Sequence, residues 1–252
     1  MRSQETAEIV QRLNNRIQSL INQLRTYING LRNINVRSND YPQLYQLYCL
    51  LRLLEKLILK NCEIIHIAPP RMIPGIIYLP LSPVHYTAIR DQTSLRNITR
   101  EYKQSYSSFI VEYTEHDVGI SSTYEIYYNL CIPHYCNKKY RGLICHAPDI
   151  AIIALNEDRK KDYAVAALKE VKYRCTGNNG SSGQSMSEFI RIIIGYNESI
   201  SHGAESGFIV RILHEFSELI TNFNIRSTQY WRDKELKMKL FNKNVVIKTE
   251  PV

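Results

Sequence analysis

Residues 148–172 read PDIAIIALNEDRKKDYAVAALKEVK, two apolar runs joined by a highly charged segment. Runs of this length, rich in β-branched and small apolar residues and separated by polar residues, are typical of a β-hairpin. The pattern therefore predicts a strand over 149–155, a turn over 156–162 and a second strand over 163–174.

The charged residues of this hairpin lie at one end of it. Because side chains alternate along a strand, Glu170 and Lys172 share one face and Val171 lies on the other. Asp149 begins the first strand, so two carboxylates and a lysine meet at the end of an otherwise apolar sheet. Burying such charges costs free energy unless they bind a metal or one another. The hairpin therefore predicts a metal site.

The bulk composition is that of a globular protein with a basic balance. The chain has 252 residues, 44% of them hydrophobic and 22% charged, with a formal net charge of +8 and a pI near 9.1. A positive balance favours a polyanionic partner such as nucleic acid. The N-terminus lacks the apolar core of a signal peptide, and no apolar run approaches the ~20 residues of a membrane span. These observations predict a soluble, cytoplasmic protein that does not contact a membrane.

The six cysteines allow two interpretations. None forms a Cys-x-x-Cys pair, which gives a zinc or iron–sulfur site weak support. A cluster with His134 and His146 stays open, but buried reduced thiols are the favoured interpretation. The cysteines are Cys49, Cys62, Cys131, Cys136, Cys145 and Cys175.

The first segment, residues 1–66, is predicted to be a helical hairpin. Apolar residues recur at spacings of three and four from Ile9 to Leu31, and a second apolar helix runs from Asp40 to about Leu59. Such a hairpin packs either on its own domain or on another subunit, in which case it would be an oligomerisation arm.

The middle of the chain contains a proline-rich segment. The segment 67–115 is predicted to be a Pro-rich connector followed by a helix over about 92–113. The cluster Ser121-Ser122-Thr123 is typical of a helix start, so residues 124–130 are predicted to be helical as well.

Beyond the hairpin, the sequence predicts alternating elements. A Gly/Ser-rich loop at 177–183 precedes the capping box of Ser185 and Glu188, which explains Glu188 as a helix cap. A strand over 207–212, a helix over 213–223 and a basic C-terminal helix and tail over 226–252 complete the prediction.

The order helix, strand, strand, helix, strand, with Pro-Asp on one strand and Glu-x-Lys on the next, resembles the PD-(D/E)XK nuclease superfamily. Holliday-junction resolvases, many restriction enzymes and some nucleases of archaeal viruses belong to it. The resemblance spans roughly residues 116–212 and implies an α/β fold with a restriction-endonuclease-like core over 116–225, a central mixed sheet flanked by helices. The abundance of Ile and Tyr suggests a thermophilic source, such as a spindle-shaped virus of hot-acid archaea, in which case the location is the host cytoplasm or the virion.

The resemblance also implies roles for individual residues. It assigns Asp149 and Glu170 as carboxylate ligands of Mg²⁺ or Mn²⁺, with the backbone carbonyl of Val171 completing the shell. Lys172 would orient or deprotonate the attacking water. Many members add a glutamate from a preceding helix, and Glu125 stands at that position. Taken singly, Glu170 and Lys172 could also form an exposed ion pair, and Glu125 could lie on a solvated helical face.

Positive residues around the hairpin are predicted to guide a phosphate substrate. Lys138, Lys139 and Arg141 precede it and Arg174 follows it. Their contacts to phosphates would give salt-dependent affinity that is largely independent of sequence.

Two functions follow from these observations. The first is a Mg²⁺-dependent DNA endonuclease, a homodimer because cutting both strands symmetrically needs two sites. Its substrate could be branched DNA by analogy of fold. The alternative is a nucleic-acid-binding or structural protein that has a nuclease-like scaffold without turnover.

Overall fold

The computed structural model describes eleven segments of the chain. They are residues 2–28, 30–35, 40–80, 95–115, 120–130, 132–136, 142–146, 149–155, 164–172, 211–221 and 245–249.

These segments contain helices and strands in the order of an α/β protein. The helices are α1 (Arg2–Tyr27), α2 (Tyr41–Ile58) and α3 (Leu95–Ser105). The strands are β1 (Asn33–Asn35), β2 (Glu63–Ile67), β3 (Ile76–Tyr78), β4 (Ser108–Glu115), β5 (Ile120–Tyr128), β6 (Ile132–Cys136), β7 (Gly142–His146), β8 (Ile150–Leu155), β9 (Ala164–Lys172), β10 (Arg211–Thr221) and β11 (Val245–Thr249).

Seven strands form one mixed sheet, in the order β11-β10-β9-β8-β5-β4-β2. The strands from β2 to β9 pair antiparallel, whereas β9, β10 and β11 run parallel. Parallel neighbours need a crossover connection of a dozen or more residues, and 38 residues separate β9 from β10. Two small sheets, β1 with β3 and β6 with β7, complete the strand pairing.

Helices α1 and α2 cover one face of this sheet. The apolar stripe of α1 is buried against α2, and α2 is apolar on nearly every side because it lies between α1 and the sheet. Sheet residues that alternate toward these helices, among them Phe109, Ile126 and Ile150, belong to the same buried cluster. The N-terminal hairpin therefore packs on its own domain, as one of the two interpretations of its stripe predicted.

Helix α3 lies on the opposite face. Tyr102 of α3 meets Tyr127 of β5 edge to face, with ring centroids 5.5 Å apart, and its hydroxyl donates to the carbonyl of Tyr128 at 2.7 Å. Residues of β5 alternate between the two faces, so Ile126 faces α1 and α2 and Tyr127 faces α3. Among the described helices, none is long and apolar enough to cross a bilayer.

Three sequence predictions of secondary structure are wrong. Residues 124–130 are strand β5 for most of their length rather than a helix, and 213–223 are largely strand β10. The helix predicted over 92–113 ends at Ser105, and strand β4 follows it. The cluster Ser121-Ser122-Thr123, typical of a helix start, lies within strand β5 instead, and pairing with neighbouring strands of the large sheet determines the structure of these segments. The loop at 177–183 and Glu188 lie outside the described residues. Of the predicted C-terminal helix and tail over 226–252, the structure describes only 245–249, which form strand β11 rather than a free tail.

The close approach of Gly75 to Gly30 gives a prediction about stability. Both glycines have positive φ, and a Cβ on Gly75 would collide with the carbonyl oxygen of Gly30. The Gly75 carbonyl also accepts from the backbone N–H of Arg32 at 2.6 Å, which fixes this approach. We expect Gly75→Ala to lower the free energy of unfolding by about 2 kcal/mol or more, the sum of an unfavourable φ and a steric clash.

Gly30→Ala is the matched control in urea unfolding. Among the described residues, no atom lies within 4 Å of a Cβ built on Gly30, so only the backbone term of about 1 kcal/mol is expected. An equal loss in the free energy of unfolding for Gly75→Ala and Gly30→Ala would contradict the proposed clash between residue 75 and the carbonyl oxygen of Gly30.

His66 gives a prediction about pH. The Ser107 hydroxyl accepts from the backbone N–H of Tyr78 at 2.9 Å and forms a second hydrogen bond of 2.9 Å with Nε2 of His66. Burial of the imidazole lowers the pKa of His66 below its ordinary value of 6.5. The folded protein thus binds fewer protons than the unfolded chain just below pH 6.5. The contribution of His66 to the free energy of unfolding is therefore complete above pH 6.5 and is lost as the pH falls below 6.5.

We expect the free energy of unfolding to fall more steeply between pH 6.5 and 5 for the wild type than for His66→Gln. The glutamine oxygen can still accept from Ser107 but does not titrate. Urea unfolding at closely spaced pH values measures both slopes, and identical slopes would contradict the assignment.

Candidate metal centre

Asp149 lies between two neighbouring strands at the start of β8. The last pair of the β5–β8 register joins Tyr128 to Ile150, and one step further the backbone N–H of Asn129 donates to the Asp149 carbonyl at 3.0 Å. On the other side, Ile150 pairs with Lys169 of β9. Extending this antiparallel register by one position places the backbone of Asp149 beside that of Glu170.

The carboxylate of Asp149 is buried and held by helix α2. Asp149 is only 6% exposed, and its Oδ1 accepts a hydrogen bond of 2.8 Å from Nε2 of Gln46. The other end of the same amide, Oε1, accepts from the Tyr128 hydroxyl at 3.3 Å. With both ends engaged, the Gln46 amide has a fixed orientation and holds the carboxylate in one position.

Tyr128 is the outer member of this chain of hydrogen bonds. Burial raises the pKa of Tyr128 well above its ordinary value of 10, and the negative charge of Asp149 raises it further. The hydroxyl therefore stays protonated and acts as a donor to Gln46. The arrangement adds no second negative charge beside Asp149.

Asn129 supplies an oxygen that the fold does not use. Its side chain is 1% exposed, and Oδ1 has no hydrogen-bond partner in the part of the chain that the structure describes. Its backbone has φ of +52°, a left-handed conformation that asparagine tolerates better than most residues. A buried carbonyl oxygen without a partner costs free energy, about 1–3 kcal/mol, which a bound cation would offset.

The donor set at this end of the sheet fits a hard divalent cation. A buried carboxylate and an unsatisfied amide oxygen lie on directly paired residues, Asp149 and Asn129, and Glu170 is the next residue across the sheet. Oxygen ligands of this kind suit Mg²⁺ and Mn²⁺ rather than the softer metals that thiolates and imidazoles prefer. Among the described side chains, no group of three or more His, Cys, Asp or Glu comes together.

The remaining residues of the predicted site lie in or near β9. Glu170, Val171 and Lys172 are consecutive in this strand, and in the parallel register with β10 they pair with Leu219, Ile220 and Thr221. The predicted DNA-binding residues lie outside the described residues; they are Lys138, Lys139, Arg141 and Arg174.

Glu125 is not where the sequence placed it. It lies in the middle of strand β5, pairs with Ile153 of β8 and is 1% exposed. Four residues separate Glu125 from Asn129, which is about 13 Å along a strand. The register therefore places the backbone of Asp149 beside that of Glu170 at one end of the sheet, and Glu125 lies further along β5.

The carboxylate of Glu125 has its own partners beneath helix α3. Its Oε1 accepts a 2.6 Å hydrogen bond from the buried Ser108 hydroxyl and lies 2.7 Å from Nζ of Lys103, which also donates to Oε2 at 2.9 Å. Lys103 is 34% exposed and its ammonium lies 5.9 Å from the centre of the Tyr127 ring. These contacts join α3 to the sheet and give Glu125 a structural role.

Sequence reasoning missed Gln46, Tyr128 and Asn129. One signal was available for Gln46, because it is an amide within the nearly continuous apolar run from Leu44 to Leu51. Asn129 ends a strand whose residues were read as a helix, which hid its position opposite Asp149.

The described cysteine side chains follow the favoured interpretation. Cys49 and Cys62 are buried free thiols. Burial raises the pKa of Cys62, and the nearby charge of Lys60 partly opposes the rise. The Cys62 thiol therefore stays protonated at neutral pH and is a poor metal ligand.

Comparison of the chain with protein-family models, with curated proteins and with solved structures gave no match.

Proposed function

We propose that this protein is a divalent-cation-dependent DNA endonuclease whose centre lies where β8 begins beside β9. The observation that carries the proposal is the pairing of buried Asp149 with Asn129, whose amide oxygen has no hydrogen-bond partner among the described residues, beside the backbone of Glu170. The basic balance of the chain supports a phosphate-bearing substrate. The mixed sheet with helices on both faces is compatible with the restriction-endonuclease-like core that we propose for it.

Each residue of the proposed site has a separate role. Asp149 and Glu170 would hold Mg²⁺ or Mn²⁺, with the Asn129 amide oxygen and the Val171 carbonyl as further ligands. When bound, the cation polarises the scissile phosphate and lowers the pKa of a water molecule. Gln46 keeps the Asp149 carboxylate in one orientation, so little reorganisation is needed when the substrate binds. Lys172, two residues after Glu170 on the same strand, would orient the attacking water and accept its proton.

A plasmid assay tests this function. We expect purified protein to convert supercoiled plasmid to nicked and linear forms in Mg²⁺ or Mn²⁺, and to leave it intact in EDTA. Glu170→Gln should abolish cleavage while retaining DNA binding. A panel of linear, nicked, flapped and four-way-junction DNAs then tests the branched-DNA preference. Equal cleavage by wild type and Glu170→Gln would contradict the proposed centre.

A second function is favoured by one observation. Asp149 is hydrogen-bonded within the chain and 6% exposed, as expected of a purely structural polar cluster. The protein would then bind nucleic acid on a nuclease-like scaffold without turnover. Tight DNA binding with no cleavage of any substrate in the panel, in either metal, would favour this function.

A further inference from the structure

The solvent face of helix α1 has an unusual composition. Between Glu8 and Asp40 the sequence contains no Asp or Glu, whereas Arg12, Arg16 and Arg25 are all exposed on the helix. None of these three arginines forms an ion pair with a carboxylate among the described residues. Within the part of the chain that the structure describes, the three guanidinium groups lie on the exposed side of α1.

The other exposed residues of α1 are mostly amides and form a ridge. The amide ridge consists of Gln11, Asn15, Gln18 and Asn22, spaced by four, three and four residues, which places all of them on one line along the helix. Gln18 donates to Asn22 across one turn at 3.3 Å, as expected for neighbours on such a line.

The arginines lie on both sides of this ridge. At about 100° per residue, Arg12 and Arg16 lie within about 40° of each other on one flank, and Arg25 lies on the other, about 180° from Arg16. The apolar stripe of α1 occupies the remaining side and is buried against α2. The helix thus presents a central line of amides with two arginines on one flank and one arginine on the other.

We propose that this face of α1 binds in the major groove of duplex DNA. The groove is about 12 Å wide and admits one α-helix, with a wall of phosphates on each side and base edges at its floor. Arginines on both flanks match the two walls. Asn and Gln are the side chains that make paired hydrogen bonds to adenine, so the amide ridge suits the floor.

Two other partners fit this face less well. An amphipathic helix that binds a membrane inserts its apolar side, and the apolar side of α1 is already buried. The major groove of an RNA duplex is too narrow and deep to admit a helix. The proposal extends the proposed function by assigning duplex DNA as the partner and α1 as the helix that reads it.

The first experiment measures the binding of full-length protein to a 30-base-pair DNA duplex in EDTA over a range of salt concentrations. Each lost phosphate contact lowers the slope of log K against log salt by about 0.9, so we expect Arg12→Gln/Arg16→Gln to lower the slope by about 1.8. Adding Arg25→Gln should lower it by about 0.9 more. Lys60→Gln/Arg71→Gln, which removes two exposed charges elsewhere, is the matched control and should leave the slope unchanged.

A slope in the arginine variants equal to that of the wild type would overturn the proposal. Equal affinity for an RNA duplex, or binding to anionic vesicles that the same variants abolish, would overturn it as well. Circular dichroism and thermal melting establish that every variant is folded.

The second experiment tests the amide ridge by selection from duplexes with a randomised central segment. We expect the wild type to enrich a preferred sequence, and Asn15→Ala/Asn22→Ala to bind that sequence roughly 5- to 150-fold more weakly per lost base contact. Its affinity for unselected DNA should not change. No enrichment by the wild type, or the same enrichment by the variant, would overturn base reading by α1.

Binding in EDTA keeps this proposal separate from the proposed function. If the wild type cuts plasmid but the arginine variants bind DNA with the affinity of the wild type, the proposal for α1 is contradicted and the proposed nuclease function is retained. If the variants lose affinity for DNA but the wild type cuts no plasmid, the proposal for α1 is retained and the proposed nuclease function is contradicted.

Discussion

Asp149→Asn is expected to lower the rate of DNA cleavage by a factor of at least about 10³ while leaving DNA affinity in EDTA unchanged. The substitution keeps the size of the side chain and an oxygen that can accept from Gln46, but it removes the negative charge that a divalent cation needs. Loss of a primary metal ligand removes stabilisation of the transition state, and a factor of 10³ corresponds to about 4 kcal/mol.

Single-turnover cleavage with enzyme in excess measures this effect without interference from product release. Asn129→Gly is the companion variant, since it removes the amide oxygen and keeps a residue that readily adopts positive φ. We expect it to raise the Mn²⁺ concentration needed for half-maximal cleavage about 10- to 100-fold, the cost typical of a disturbed metal site. If Asp149→Asn cuts DNA at the wild-type rate, Asp149 is not a metal ligand.

Glu125→Ala is expected to have a large effect on stability. It leaves the buried Ser108 hydroxyl without its acceptor and Lys103 without its counter-charge. Breaking a buried pair costs about 3–5 kcal/mol, and we expect about 3 kcal/mol here because Lys103 is 34% exposed. For a chain of this size the loss corresponds to a fall in melting temperature of about 6–12 °C.

The matched control is Glu101→Ala, on the exposed side of the same helix α3. It should change the free energy of unfolding by no more than about 0.5 kcal/mol. Glu125→Gln keeps an acceptor for the Ser108 hydroxyl and should lower the free energy of unfolding by about half as much as Glu125→Ala. At a temperature where both variants are folded, we expect Glu125→Gln to cleave DNA at the wild-type rate. A loss of cleavage in a fully folded Glu125→Gln would place Glu125 in the catalytic machinery after all.

The sequence predicted the elements whose pattern is strong and local. The apolar stripe of α1 and the two runs of 148–172 each repeat over several residues, and both were assigned to the correct type of element. Residues 124–130 and most of 213–223 lie in strands rather than in the predicted helices, because local signals such as the cluster Ser121-Ser122-Thr123 do not reveal strand pairing. Only the pairing partners, β4 and β8 for β5 and β9 for β10, distinguish the two structures.

In the candidate site too, the sequence predicted features with a local signal and missed those that depend on tertiary packing. Asp149 and Glu170 were predicted as neighbours because the hairpin that joins them is local, and the register of β8 and β9 fits that prediction. Gln46 is 103 residues from Asp149 in the chain, so its contact arises from the packing of α2 on the sheet and has no local signal. The sequence predicted Glu125 on a helix, whereas it lies in strand β5, and its contacts with Lys103 and Ser108 arise from tertiary packing that the sequence does not reveal.

The most direct measurement is the anomalous difference map of a crystal soaked in Mn²⁺. We expect a peak within about 2.0–2.3 Å of a carboxylate oxygen of Asp149, with Asn129 Oδ1 and the Glu170 carboxylate in the same coordination shell. The peak should vanish in Asp149→Asn crystals soaked in the same way. A Mn²⁺ peak elsewhere in the chain, with the Asp149 carboxylate still bound only to Gln46 and other protein groups, would contradict the proposed centre.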